Sequence, residues 1–198
     1  REKTYGKEYS DPLLSNGYEV DGNGSTKDGL FVILAMKGEN AFRQPYYGIC
    51  NANGKILVAP QAPTTSYGNA IHTAYYSGTV YDDCILMEQK TSVQFDVLRD
   101  IYDGTTGELL FSFANAQDGV DAFGVPYRFI RETSYGQGLF VAGDSYTGED
   151  NDIMPKVGYM NKYGKMKIPA VFENATAFSN GYAWVKYNGA WGMIKLPE

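Results

Sequence analysis

The sequence predicts an all-β fold made of antiparallel β-hairpin or meander repeats stacked in a continuous array. Its 198 residues include 17 tyrosines and 23 glycines, a composition that favours strands and turns over helices. Short apolar runs recur along the chain with matching turn residues between them. Such units must stack, because a single hairpin cannot bury its own apolar face. A solenoid-like stack is the first expectation, and a closed, propeller-like ring is the alternative.

Two stretches of the chain carry the same pattern at nearly the same spacing. Residues 29–32 and 138–141 both read Gly-Leu-Phe-Val. Downstream, the copies share a strand Gly, a turn Asn, a Gly-Lys pair and a closing Pro: Gly48, Asn51, Gly54, Lys55 and Pro60, then Gly158, Asn161, Gly164, Lys165 and Pro169. Asn and Gly favour the turn, and Pro ends strand pairing because it has no N–H.

The other copies are less complete. In the middle of the chain Asp103 stands where the other copies have Asn, and the last copy has strands at 182–186 and 191–196. We therefore expect one β-repeat domain over residues 1–198. Its approximate units are 14–66, 67–114, 125–176 and 177–198, and the last unit is incomplete.

The last quarter of the chain resembles the WG-repeat family of bacterial β-repeat proteins. Residues 177–182 match the aromatic–Ser–acidic–Gly–Leu start of its unit, and Trp191-Gly192 matches its Trp-Gly pair. The likeness is fair at 29–60 and weak at 61–130. The resemblance implies a β-repeat array, commonly exported or on the cell surface, with no established catalytic centre. It supplies no site residue.

The repeat positions are expected to be structural. We predict that Trp191 covers the edge of its hairpin and packs on the next unit, while Gly192 permits the close approach. Trp184, on the opposing strand, would contribute equally if it also faces inward. The positions concerned are Gly48, Gly54, Gly158, Gly164, Gly181, Trp184, Trp191 and Gly192.

Charge and hydropathy exclude some classes of partner. The net charge is −6 and the pI is about 4.8, which argues against nucleic acid. No apolar run approaches the ~18 residues of a membrane span. The chain starts at Arg1, so we expect a processed piece of an exported protein. No cofactor is expected.

Cys50 and Cys84 are expected to be buried small hydrophobes, with a disulfide or redox pair as the alternative.

Two segments are weak candidates for cation binding. Asp144, Glu149, Asp150 and Asp152 lie close together in sequence, and four carboxylates could chelate a hard cation. A solvated acidic loop is the preferred interpretation. Residues 21–25 resemble the start of a calcium loop, but Thr26 and Val32 replace its Gly and its last acid. We expect a solvated hairpin tip there.

Sequence patterns that could indicate catalysis are less specific than those for cation binding. Gly143-Asp144-Ser145 resembles an esterase nucleophile block, but the single His, His72, precedes it and no strand-to-helix setting is predicted. We expect His72 to be a solvated or hydrogen-bonded strand residue. Tyrosines near strand ends could bind a sugar or a protein, or could simply fill a β core. These are Tyr75, Tyr76, Tyr127, Tyr135, Tyr146 and Tyr187.

The sequence thus favours a non-catalytic, exported or cell-surface module that binds a macromolecule or acts as a structural spacer. The partner would be a protein or a glycan. Carbohydrate or cell-wall binding through exposed Tyr is the alternative, and a glycosidase-type enzyme is the least favoured hypothesis, since acid pairs can be drawn freely from 23 carboxylates.

Overall fold

The computed structural model describes residues 18–37, 44–60, 75–90, 97–112, 129–147 and 153–197. Every regular element in these ranges is a β-strand, and the sheets are antiparallel without a closed barrel, which confirms the all-β prediction. None of these residues forms a helix of the length and apolarity that a membrane span requires.

The chain divides into two compact units, residues 1–109 and 110–198. The first unit holds one sheet, in the order β1-β2-β3-β5-β6-β7-β8 with β4 paired to β3. Its strands are β1 (Tyr18–Ser25), β2 (Leu30–Lys37), β3 (Gln44–Asn51), β4 (Ile56–Val58), β5 (Tyr75–Val80), β6 (Cys84–Lys90), β7 (Val97–Asp103) and β8 (Leu109–Ser112), which runs across the boundary.

The second unit holds two sheets, in the orders β12-β11-β10-β9 and β13-β14-β15. Strands β9 to β13 lie within residues 125–176, and β14 and β15 lie within residues 177–198. The strands are β9 (Phe129–Gly136), β10 (Leu139–Thr147), β11 (Ile153–Asn161), β12 (Met166–Phe172), β13 (Asn174–Ala175), β14 (Tyr182–Tyr187) and β15 (Ala190–Lys195).

The turn asparagines reverse the chain as their sequence pattern predicts. Asn161 Oδ1 accepts hydrogen bonds from the backbone N–H groups of Tyr163 (3.1 Å) and Lys165 (3.0 Å). Asn51 does the same in the first repeat, and Gly54 and Gly164 complete the two turns with φ of +76° and +77°. The turn returns the chain so that β4 pairs with β3 and β12 pairs with β11.

The Gly and the Pro that the two repeats share lie close together, where the returning strand crosses the hairpin. Beside Gly158 the register of β12 shifts, so that a Cβ on Gly158 would lie 2.2 Å from the carbonyl oxygen of Ile168 and 2.4 Å from that of Pro169. A Cβ on Gly48 would lie 2.3 Å from the Val58 oxygen and 2.7 Å from the Pro60 ring. Glycine is needed at this position because the returning strand crosses directly over it.

Candidate functional site

Consecutive repeats in the second unit stack through apolar side chains. One side of the β10–β11 hairpin carries Leu139, Val141, Val157 and Tyr159, here called the stacking face. The β13–β14 segment covers this face with Ala175, Phe178, Ala183 and Val185. The Tyr159 and Phe178 rings lie 4.6 Å apart between centroids, and the Tyr159 hydroxyl donates to the Thr176 carbonyl oxygen at 2.9 Å. The contact therefore combines apolar packing with one defined hydrogen bond.

The first unit uses the same arrangement. Leu30, Val32 and Ile49 occupy equivalent positions on β2 and β3, as their matching strand registers show. Residues of the next repeat cover them: Tyr75, Ile85, Met87 and Tyr102. Within each unit, one side of the first hairpin thus packs under the repeat that follows it.

The C-terminal hairpin presents the corresponding side to solvent. The register pairs Tyr182 with Lys195, Trp184 with Met193 and Lys186 with Trp191, so these six side chains project from one side of β14–β15. We call this side the terminal face. Its four large apolar members keep about half of their surface: Tyr182 47%, Trp184 54%, Trp191 52% and Met193 58% exposed.

The terminal face corrects the prediction for the two tryptophans. Trp191 was predicted to pack on a neighbouring unit, and Trp184 was to contribute equally if it faced inward, but both rings are about half exposed. Alternation along β14 explains the result, because Ala183 and Val185 point into the core and leave Trp184 on the opposite side. The equivalent positions in the preceding hairpin, Val141 and Val157, are buried.

Two lysines border the terminal face. The Lys186 ammonium lies 3.5 Å from Glu173 Oε2, while Glu173 Oε1 accepts a hydrogen bond from the Gly189 N–H at 2.9 Å. This hydrogen bond, together with the charge of Lys186, lowers the pKa of the Glu173 carboxyl. The pair holds the β14–β15 turn, and Lys195 lies exposed at the other end of the face.

The outer edge of β15 is the second open feature of this hairpin. Within the described residues β15 pairs with β14 alone, whereas β3 and β11 are also covered by β4 and β12. Gly192 occupies the position of Gly158, yet a Cβ built on Gly192 meets nothing within 4 Å. The repeat glycine is therefore retained here, although none of the described strands crosses it as a strand does at Gly48 and Gly158.

The candidate cation sites find no support among the described residues. Asp144 lies within β10, where its backbone is opposite Lys156 in the strand register, while Glu149, Asp150 and Asp152 lie outside the described residues. The described part of the chain contains no group of three or more His, Cys, Asp or Glu that could hold a metal. Residues 21–25 form the end of β1 instead of the predicted hairpin tip, and the turn follows at 26–29.

The esterase-like pattern at residues 143–145 lies within a strand. Gly143 and Ser145 lie inside β10, so the strand-to-helix setting of an esterase nucleophile is not formed there. His72 lies outside the described residues, and so do Tyr127 and the side chain of Tyr146.

The remaining tyrosine candidates divide between core and surface. Tyr75 is buried, in line with the alternative that these tyrosines fill a β core. Tyr76 and Tyr135 are half-buried, and the Tyr135 ring lies 4.3 Å from that of Phe140 between centroids. Tyr187 is exposed, as predicted.

The cysteines and one polar network belong to the core. Cys50 and Cys84 are free and buried, as predicted, and burial raises the pKa of the Cys50 thiol to about 11. Sequence reasoning missed the buried cluster in which the Tyr75 hydroxyl donates to Asp100 and lies 2.7 Å from the Tyr102 hydroxyl. Burial first, and then the charge of Asp100, raise the pKa of Tyr75 above its usual range. The cluster lies in the contact between the first two repeats.

The comparison with protein families agrees with this geometry. The family described as "WG containing repeat" matches residues 158–191, which run from β11 to Trp191 in β15. The predicted WG-repeat resemblance is thus confirmed over this stretch. No curated protein and no solved structure matches the chain.

Proposed function

We propose that this β-repeat protein is a non-catalytic module that binds a macromolecular partner through its terminal face. One observation carries the proposal: Tyr182, Trp184, Trp191 and Met193 are about half exposed, although their equivalents in the preceding hairpin are buried. Contiguous exposed apolar surface with a charged border is typical of interaction sites. Trp and Tyr are also the residues that dominate binding energy at protein interfaces.

A polypeptide partner is favoured by the contacts inside the molecule. The stacking face receives the Phe178 ring and small side chains such as Ala183 and Val185, which are ordinary protein groups. The terminal face occupies the same positions on the same kind of hairpin. A protein surface with one aromatic ring and small apolar neighbours would therefore fit it.

A photo-crosslinking residue at position 193 tests this proposal in the source cells. Met193 lies on the terminal face, whereas Tyr163, 60% exposed in the β11–β12 turn, provides a matched exposed control. We expect polypeptide adducts from position 193 but not from position 163, and we expect Trp184→Ser to reduce them. Equal adduct patterns from both positions would refute the proposal.

Carbohydrate binding is the second candidate, because three aromatic rings share one side of the hairpin and such rings can stack on sugars. The chain has only two tryptophans and both lie on this face, so their fluorescence reports on it alone. Titration with soluble cell-wall oligosaccharides should shift the emission to shorter wavelength if the ligand is a glycan. No shift at millimolar sugar would leave the protein partner as the better hypothesis.

An exported or cell-surface location is part of the proposal and rests on the family resemblance at 158–191. Fractionation of the source cells with an antibody to the protein tests it, and recovery in the cytoplasmic fraction alone would contradict it. The absence of catalysis is tested by a screen of chromogenic glycosides across pH, in which any turnover abolished by replacing a carboxylate would revive the glycosidase hypothesis.

A further inference from the structure

In the first and third repeats, the edge strand is covered by a strand that returns along it. β4 pairs with β3 through Ile56 and Val58, and β12 pairs with β11 through Met166 and Ile168. In each case a proline of the returning segment lies near the repeat glycine. The fourth repeat has the edge strand β15 and the glycine, but among the described residues no strand covers its outer edge.

Residues 195–198 lack the chemistry of the turn that covers the equivalent edge in the first and third repeats. By register, Lys195 corresponds to Asn161, since each is paired with the first residue of the preceding strand. Lysine has no side-chain oxygen to accept the turn hydrogen bonds. Pro197 replaces Tyr163 and has no N–H to donate, and Glu198 replaces Gly164.

The Leu196 N–H instead donates to the Gly181 carbonyl oxygen at 2.7 Å. This hydrogen bond extends the pairing with the chain before β14 and keeps the end of β15 straight. The backbone groups on the outer edge of β15 are then available to another extended chain, which is how β-strand addition to a sheet edge works.

We propose that the open edge of β15 binds an extended polypeptide segment supplied by another molecule. This inference rests on the function proposed above and specifies the chemistry of the partner. By analogy with β12, the segment carries apolar side chains at alternate positions and a proline beside Gly192. Main-chain hydrogen bonds to β15 give affinity. Gly192 selects the proline, because the two backbones can approach closely only at the position where β15 has no Cβ.

A synthetic peptide with the sequence of residues 165–173 is the probe. It reproduces β12 and its proline, and binding next to Trp191 should shift the tryptophan emission saturably. A peptide of the same sequence with N-methyl groups on alternate amides keeps the side chains but cannot pair with a strand. We expect it to bind at least tenfold more weakly.

Gly192→Val is the protein control, because the space around Gly192 is open and the fold should tolerate the side chain. We expect unchanged unfolding of this variant and at least tenfold weaker peptide binding. Failure of the peptide to bind, or equal binding by wild type and Gly192→Val, would overturn the edge proposal. Photo-crosslinking adducts from position 193 would still form in that case. A wrong edge proposal can therefore be distinguished from a wrong terminal-face proposal.

Discussion

Gly158 and Gly192 occupy the same position in successive repeats, but only Gly158 is crossed by a following strand. Replacing each with alanine therefore isolates the effect of that crossing. In Gly158→Ala, the new methyl group would lie 2.2 Å from the Ile168 oxygen, against 3.4–4 Å for an ordinary contact. The obstacle is backbone held in the sheet by the pairing of Ile168 with Tyr159, so it cannot rotate away.

We expect Gly158→Ala to lower the free energy of unfolding by about 3 kcal/mol. Overpacking of a well-packed site costs about 1–3 kcal/mol, and separating β12 from β11 would add the loss of hydrogen bonds worth about 1 kcal/mol each. Gly192→Ala meets no atom and restricts the unfolded chain, so it should be neutral or stabilising by less than about 1 kcal/mol.

Urea unfolding followed by tryptophan emission measures both variants, because both tryptophans lie in the second unit. With a urea dependence of about 2 kcal/mol per molar, the Gly158→Ala midpoint should fall by about 1.5 M. Gly48→Ala, measured by circular dichroism, should behave like Gly158→Ala because Gly48 is crossed in the same way. Midpoints for Gly158→Ala and Gly192→Ala within about 0.3 M of each other would refute the reasoning.

Three further predictions follow from burial. Phe178→Ala should cost about 3–5 kcal/mol in urea unfolding, whereas Trp191→Ala should change stability by less than about 1 kcal/mol; equal costs would contradict the exposed position of Trp191. Cys50 and Cys84 should react with a thiol reagent only after unfolding, and fast labelling of the native protein would refute their burial. Burial raises the pKa of Tyr159 to about 12 in the folded protein, against about 10 when unfolded. The stability that depends on a protonated Tyr159 is complete below pH 10 and is lost as the pH rises towards 12. Tyr159→Phe should therefore flatten the fall in the free energy of unfolding between about pH 10 and pH 12, and a curve identical to that of the wild type would contradict this prediction.

The repeat pattern was readable from sequence because turns depend on local chemistry. Asn51 and Asn161 bond to backbone within four residues, so their spacing to the following Gly-Lys predicts both turn and returning strand. The pairing of a strand Gly with a distant Pro was visible as a pattern, but its cause, the crossing over Gly48 and Gly158, is a tertiary contact.

The position of the tryptophans could not be derived in the same way. Strand alternation places Trp184 and Met193 on one side, but it does not say which side is covered. Which side is covered is seen only by comparing repeats: Val141 and Tyr159 are buried because β13 and β14 follow their hairpin and pack on it. Likewise, nothing in the spacing of Tyr75, Asp100 and Tyr102 indicates that their polar ends meet in the core.

The two lysines that border the terminal face have a consequence for how the protein behaves in concentrated solution. An apolar end with an unpaired strand beside it is a natural growth point for head-to-tail polymers, and lysines at such edges oppose this association. Lys195, together with Lys186 and its Glu173 partner, keeps charged groups on this growth point, and a second copy that covered the apolar side chains would have to remove these charges from water. Near the pI of about 4.8 the overall repulsion between molecules vanishes, so we expect association through this end to be strongest there.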